Sequence, residues 1–311
     1  MNQQYPTSGN RPPTYRPLDM TLQEVPPWLV QETRPQGIPW LNVFLFFATI
    51  YTTLVAGAAF EGINGFTEPW LLGAGMPFSF TLLAILGIHE LGHFAMSRYH
   101  GVQATWPYFI PVPTFIGTFG AMIKLKSPMP DKRALLDIGA AGPVAGFLVA
   151  VPAIFFGLEV SEVAPSTGVD GALQLGDSLL LLLAERWAFG ELPADQAIHL
   201  GPVAFAGWIG LLVTALNLLP VAQLDGGHIA YAVFGKYYQA VARVTLVAMV
   251  GMGFLGWPGW YVWAILSIIF KLRHPPTLND YVPLDRKRNI LAVCCLIIFI
   301  LCLIPVPFQQ I

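Results

Sequence analysis

The chain has 311 residues, of which 55% are hydrophobic and only 11% charged, with a net charge of −2 and a mean hydropathy of +0.60. A soluble domain carries about 25% charged residues, so this composition excludes an ordinary water-soluble fold and describes an integral membrane protein in contact with a lipid bilayer. The slight acidity also excludes the basic footprint of a nucleic-acid binder, and no nucleic-acid partner is expected.

Residues 1–39 hold prolines at 6, 12, 13, 17, 26, 27, 35 and 39 with few apolar runs. They predict a flexible, Pro-rich tail, and no apolar stretch follows a basic start as a signal peptide requires. A core then runs over 40–272. Its first span is expected at 41–60, near the roughly 20 residues that cross the hydrocarbon. The second, 74–98, carries His89-Glu-Leu-Gly-His93. The segment 103–126 is broken by turn residues and contains two short runs, Thr105 to Ile110 and Phe119 to Leu125, that read as strands. Phe119 and Gly120 are candidates for contact with a substrate there.

A third span is expected at 134–158, where Gly142-x-x-x-Gly146 lets another helix approach closely and Pro143 can kink this one. Residues 159–199 read as an external loop with one apolar stretch, Ser178 to Ala184, too short to span. The region 200–228 combines a fourth span, 200–219, with a following turn. Two short spans are expected at 239–256 and 258–272, separated by Gly256-Trp257-Pro258-Gly259. Residues 273–311 form a basic loop and a last span at 289–305. The fold class is therefore an all-α polytopic membrane protein of six to seven transmembrane helices, with a short membrane-associated β-hairpin after the motif helix. Cys294, Cys295 and Cys302 all lie in the last apolar segment, without metal-ligand spacing, and suit an apolar buried role.

Charge alternates along the chain. Arg98, Lys124, Lys126, Lys132 and Arg133 outweigh Asp131 between spans two and three, whereas 159–199 holds seven acidic residues against Arg186 alone. Lys236 and Arg243 flank the next turn, and Lys271, Arg273 and Arg286 to Arg288 precede the last span. By the positive-inside rule the N-terminus and the motif face the cytoplasm. With no transit peptide visible at the start of the chain, a bacterial plasma membrane is the expected address.

His89 and His93 are four residues apart, so on a helix both imidazoles leave the same face and can share one metal ion. Glu90 stands where a general base for a water nucleophile is needed. Charged groups near the bilayer centre cost roughly 2.5–3.5 kcal/mol each on insertion scales, which argues against the three as idle packing. A catalytic zinc site has three protein ligands and an open position. Candidates for the third on the same side are Asp137, Asp225 and His228. Asp225 is preferred: Pro220 ends regular helix just before it, and Gly226 and Gly227 permit close backbone approach. His228 reads either as a hydrogen-bonding support of the site or as a packed interfacial histidine. Asp137 reads as an ion-pair partner of Arg133, four residues away on one helix face, and His274 as a solvated loop residue.

His-Glu-Leu-Gly-His on an early span followed by Asn217-Leu-Leu-Pro-Val-Ala-Gln-Leu-Asp-Gly on a later one resembles the site-2 protease family of intramembrane zinc metalloproteases. The resemblance covers 80–272. It implies one Zn2+ per chain on His89, His93 and Asp225, with Glu90 catalytic. It also implies that Asn217 holds an extended substrate backbone and that a membrane-associated hairpin occupies 103–126. The substrate would be a transmembrane segment of a single-pass or other membrane protein, cut in regulated intramembrane proteolysis. The 159–199 loop is too short for the PDZ domain many relatives carry, and no paired CBS module follows the last span, so a minimal member is expected. Leu218 replaces the family's usual proline after the asparagine. An inactive scaffold of the same fold, or a metal or proton transporter, are the competing functions. Oligomeric state is not legible.

Overall fold

A computed structural model describes residues 39–310 apart from 66, 166–172, 194 and 271. The tail expected over 1–39 lies outside the described residues up to 38, as does Lys271 of the basic cluster. Helix α1, Trp40–Phe60, is apolar throughout. Its threonines turn their hydroxyls inward: Thr49 donates to the Leu45 carbonyl and Thr53 to that of Thr49, both at 2.7 Å. A 3-10 segment, Pro69–Gly75, leads into α2, Met76–Tyr99. Strands β1, Tyr108–Pro111, and β2, Thr118–Met122, then pair antiparallel, with Tyr108 opposite Met122 and an irregularity between Phe109 and Pro111.

Helix α3, Lys132–Glu159, starts where Asp131 accepts hydrogen bonds from the Arg133 and Ala134 amides at 2.9 Å, satisfying two of the donors a helix start leaves open. The connection that follows holds β3 (Glu162–Pro165), β4 (Leu173–Leu175), α4 (Leu179–Phe189) and β5 (Gln196–His199). Next come α5 (Pro202–Asn217), α6 (Asp225–Phe234), α7 (Tyr238–Phe254), α8 (Gly259–Ile269) and α9 (Arg286–Cys302), and then β6 (Phe308–Gln310). β3 pairs with β5 and β4 with β6, both antiparallel. The chain beyond α9 is thus tied back to the connection after α3, two pairings the sequence reading lacked.

The core lies where α2, α3 and α5 meet. Leu82 and Ile85 of α2, Ala150, Ile154 and Leu158 of α3, and Trp208, Ile209 and Leu211 of α5 are all essentially buried. Small residues allow the approach: a methyl built on Gly210 would stand 2.9 Å from Ile85 Cδ1, and one on Gly157 only 2.2 Å from the Ala204 nitrogen. Helix–helix contact through small residues is how membrane helices pack when lipid offers no hydrophobic driving force.

Among the described residues, three helical segments are long and apolar enough to cross a membrane: Trp40–Phe60, Pro69–Tyr99 and Lys132–Glu159. The remaining expected spans are shorter, at 16 residues for α5, 17 for α7, 11 for α8 and 17 for α9. α5 is cut short because Pro220 follows it, and α7 and α8 are separated by the turn around Gly256 and Pro258. Outward faces are rich in bare hydrocarbon, with Phe44, Phe47, Leu148, Val244 and Val247 each exposed. Such surface is uncommon on a soluble monomer and natural in lipid.

Candidate metal centre

Helix α2 presents His89, Glu90 and His93 inward, none more than 6% exposed. The i, i+4 spacing brings the two imidazoles together edge to face, and their Nε2 atoms lie 3.1 Å apart. The His93 Nδ1–H donates to the Ile138 carbonyl on α3 at 2.7 Å. That bond fixes the tautomer, leaving the Nε2 lone pair free for a ligand.

Asp225 arrives from the other side. After α5 ends at Asn217, the chain turns through Leu218 to Leu224, with Ala222 at a positive φ of 54°. The turn is pinned by Tyr238, whose hydroxyl donates to the Ala222 carbonyl at 2.8 Å. α6 can then begin tight against the end of α5. A methyl on Gly226 would stand 2.0 Å from the Leu218 oxygen, so only glycine fits there. Asp225, the first residue of α6, places Oδ2 3.3 Å from His89 Nε2 and 3.2 Å from His93 Nε2.

The three donor atoms therefore form a nearly equilateral triangle with edges of 3.1–3.3 Å. Tetrahedral zinc with ligand bonds of about 2.0–2.1 Å holds its donors roughly 3.3 Å apart. Two neutral imidazoles and one carboxylate are also a donor set suited to zinc. His89, His93 and Asp225 can hold a metal ion, and the residues present fit it.

α3 makes room for this triangle with glycine. A methyl on Gly142 would meet His93 Nε2 at 2.1 Å, one on Gly146 would meet His89 Nδ1 at 3.1 Å, and one on Gly139 would meet His228 Cβ at 3.0 Å. The Gly142-x-x-x-Gly146 pattern, read from the sequence as a general contact between helices, is the wall against which both histidines lie.

Asn217 ends α5 with Nδ2 3.3 Å from His89 Nε2, so it borders the donor triangle. Glu90 shares the buried space with His89, His93 and Asp225, and the backbone amide of Ile123 meets its carboxylate. Ile123 stands one residue beyond β2, so the hairpin region reaches the site through its backbone. Phe119 projects outward at 75% exposure, and Gly120 holds a positive φ of 100°, its amide bonded to Thr118 Oγ1 at 3.0 Å. Neither Ile123 nor Ile138 is recognisable in the sequence, because both act through main-chain atoms.

His228, three residues after Asp225, meets the segment after α8: its Nδ1 lies 2.6 Å from Nε2 of His274. His274 in turn stacks on Tyr231, ring centroids 4.4 Å apart, and Tyr231 donates to Asp280 Oδ2 at 2.7 Å. Thr277 also donates to Asp280, so that carboxyl, pushed up by partial desolvation, is held below its ordinary range by the two hydroxyls. The expectation of a solvated His274 is corrected: it is the partner of His228. Asp137 is corrected as well. Its carboxylate accepts from Arg288 Nε at 3.0 Å and lies 2.9 Å from His100 Nε2. Arg133 instead donates to the Pro283 carbonyl.

Residues 77–256 match the model of peptidase family M50. The probable zinc metalloprotease EGY1, chloroplastic, of Arabidopsis thaliana is 36% identical over 291 residues, covering 86% of this chain and 53% of the relative. The probable zinc metalloprotease EGY2, chloroplastic, of the same plant is 29% identical over 267 residues, covering 84% of this chain and 47% of the relative. An Oryza sativa subsp. japonica protein also named probable zinc metalloprotease EGY1, chloroplastic, is 35% identical over 223 residues, covering 63% of this chain and 38% of the relative. The chain spans about half the length of the two Arabidopsis relatives, and less of the rice one.

Proposed function

Because this chain belongs to peptidase family M50, we propose that it is an intramembrane zinc metalloendopeptidase that cuts transmembrane segments of other membrane proteins. The observation that carries the reading is the donor triangle of His89, His93 and Asp225 with Glu90 buried beside it. An inactive scaffold has no need of that set, and a transporter has no need of a carboxylate beside an otherwise complete ligand triad.

His89, His93 and Asp225 would hold the zinc, which when bound would supply Lewis-acid polarisation of a scissile carbonyl and a water made nucleophilic near neutral pH. Glu90 takes the proton as water attacks and passes it to the leaving amine. Burial beside His89, His93 and Asp225 confines the Glu90 carboxylate to the site. Asn217, at the edge of the triangle, offers its side-chain amide to the substrate backbone. A substrate helix has its own carbonyls hydrogen-bonded, so it must unwind locally before it can be cut. The strands around 108–122 supply main-chain groups with which an unwound segment pairs, in the manner of an added strand.

The charge pattern supports a cytoplasmic N-terminus, with the metal centre towards that face and the 159–199 connection on the other. Six to seven membrane crossings follow if α5 to α9 cross as the hydropathy suggests. The plant relatives carry chloroplastic in their names, which favours an organellar membrane and gives no support to the bacterial plasma membrane expected from the sequence. Regulated cleavage of a membrane-anchored factor is the biological role that suits such an enzyme.

The test is to reconstitute the purified chain with a single-pass substrate in vesicles and map new peptide termini by mass spectrometry. Wild type produces termini within the membrane segment, and Glu90→Gln lowers the rate by about 10²–10⁴-fold while keeping its zinc. Equal cleavage by Glu90→Gln overturns the assignment.

A further inference from the structure

A groove of about 490 Å3 lies between the α5–α6 turn, α6, α7 and α9. Leu218, Gly226, Ile229, Val293, Leu296 and Phe299 line it, and Asn289 and Cys295 are the only lining side chains that are not hydrocarbon. Gly226 is the neighbour of Asp225, so the groove backs directly onto the metal-bearing turn. Along α9 the lining residues Asn289 and Phe299 are ten residues apart, which makes the groove about 15 Å long at the helical rise.

Its shape and lining select among occupants. The slot runs about 15 Å along α9 and its walls are aliphatic and aromatic side chains, which suits a lipid acyl chain laid along the helix.

Charge selects the head group. Arg286 stands three residues before Asn289 and seven before Val293, on the same face of α9 as the groove. Arg286 and Lys287 are exposed, and among the described residues neither forms an ion pair, unlike Arg288, which is engaged by Asp137 and Asp285. Two free cations thus crown one end of a hydrocarbon slot in a membrane protein. We propose that this groove binds an anionic phospholipid, with one acyl chain between α6 and α9 and the phosphate against Arg286 and Lys287. Binding there buttresses the turn that carries Asp225, and it holds whether or not the chain is a peptidase.

The experiment places the full chain in phosphatidylcholine vesicles doped with phosphatidylglycerol that carries a photoreactive diazirine midway along its acyl chain. Crosslinked peptides are then mapped. Labelling is expected to concentrate on 289–299 over the lipid-facing α7 residues Val244 and Val247. A phosphatidylcholine probe of the same chain should label 289–299 roughly tenfold less, the effect basic side chains exert on anionic lipid. Ala292→Phe should fill the slot and lower the signal to the α7 level. Even labelling of α7 and α9, or equal labelling of 289–299 by the two head groups on wild-type protein, overturns the proposal without reliance on any variant.

Discussion

Gly142 lies directly behind His93: a methyl group on its Cα would stand 2.1 Å from His93 Nε2, well inside contact distance. The same wall is looser at Gly146, where the methyl would be 3.1 Å from His89 Nδ1. The ligands are therefore set by a helix that contributes no ligand. Gly142→Ala must push the His93 ring off the triangle, lowering zinc affinity and cleavage together by about 10–100-fold, the scale seen when a metal ligand loses its support. Gly146→Ala should act in the same direction but more weakly. Measurement of zinc content and cleavage for both variants checks the ordering; a harmless Gly142→Ala contradicts it.

Asn217 separates two roles by a different readout. Its Nδ2 lies 3.3 Å from His89 Nε2, close enough to steady the ligand and also to meet a substrate. If it engages the substrate backbone, Asn217→Leu keeps one zinc per chain while kcat falls about 10²-fold, as when one preorganised hydrogen-bond donor is removed. Loss of zinc in that variant would assign it to ligand support instead.

Arg288 and Asp137 clamp α9 to α3, with His100 of the α2 end on the same carboxylate. Removal of Arg288 leaves the largely buried Asp137 carboxylate with His100 alone, at a cost of up to roughly 3 kcal/mol. Arg288→Ala should lower the thermal midpoint in detergent by several degrees. Arg133→Ala, which loses only a bond to the Pro283 carbonyl, should shift it far less.

These three sites also mark what could be read in advance. The spacing of His89 and His93 dictates a shared face on any helix, and Pro220 with Gly226 announces a break and a close approach, so the sequence alone points to His89, His93 and Asp225 together. The ion pair of Asp137 was not legible. Arg133 was the neighbour along the helix, but the structure supplies Arg288 from 151 residues away. His274 sits in a loop by sequence, and only the fold brings it to His228. The contributions of Ile138 and Ile123 are main-chain and leave no mark on side-chain pattern. β3–β5 and β4–β6 are four- and three-residue pairings between distant segments, too short to show the alternation by which strands are recognised.

Glu185, on α4, yields a prediction in pH. Burial, reinforced by the Asp177 charge, pushes its carboxyl up from 4.5 to about 7. A raised carboxyl means the docked helix holds a proton that the opened segment releases, so docking is most stable below about 4.5 and weakens as pH rises to about 7. Hydrogen exchange of 179–189, corrected for intrinsic rates, should be faster at pH 8 than at pH 5, and Glu185→Gln should flatten the difference. Slower exchange at pH 8 in wild type would reverse the sign and contradict the account.

The central claim is that one zinc is held by His89, His93 and Asp225, drawn from two separate helices. Zinc K-edge absorption of the purified chain measures it most directly. The account predicts one zinc per chain with a nitrogen and oxygen shell at about 2.0–2.1 Å, two imidazole signatures, and loss of that signal in Asp225→Ala. A sulfur shell from Cys294, Cys295 or Cys302, or an unchanged spectrum in Asp225→Ala, would contradict it.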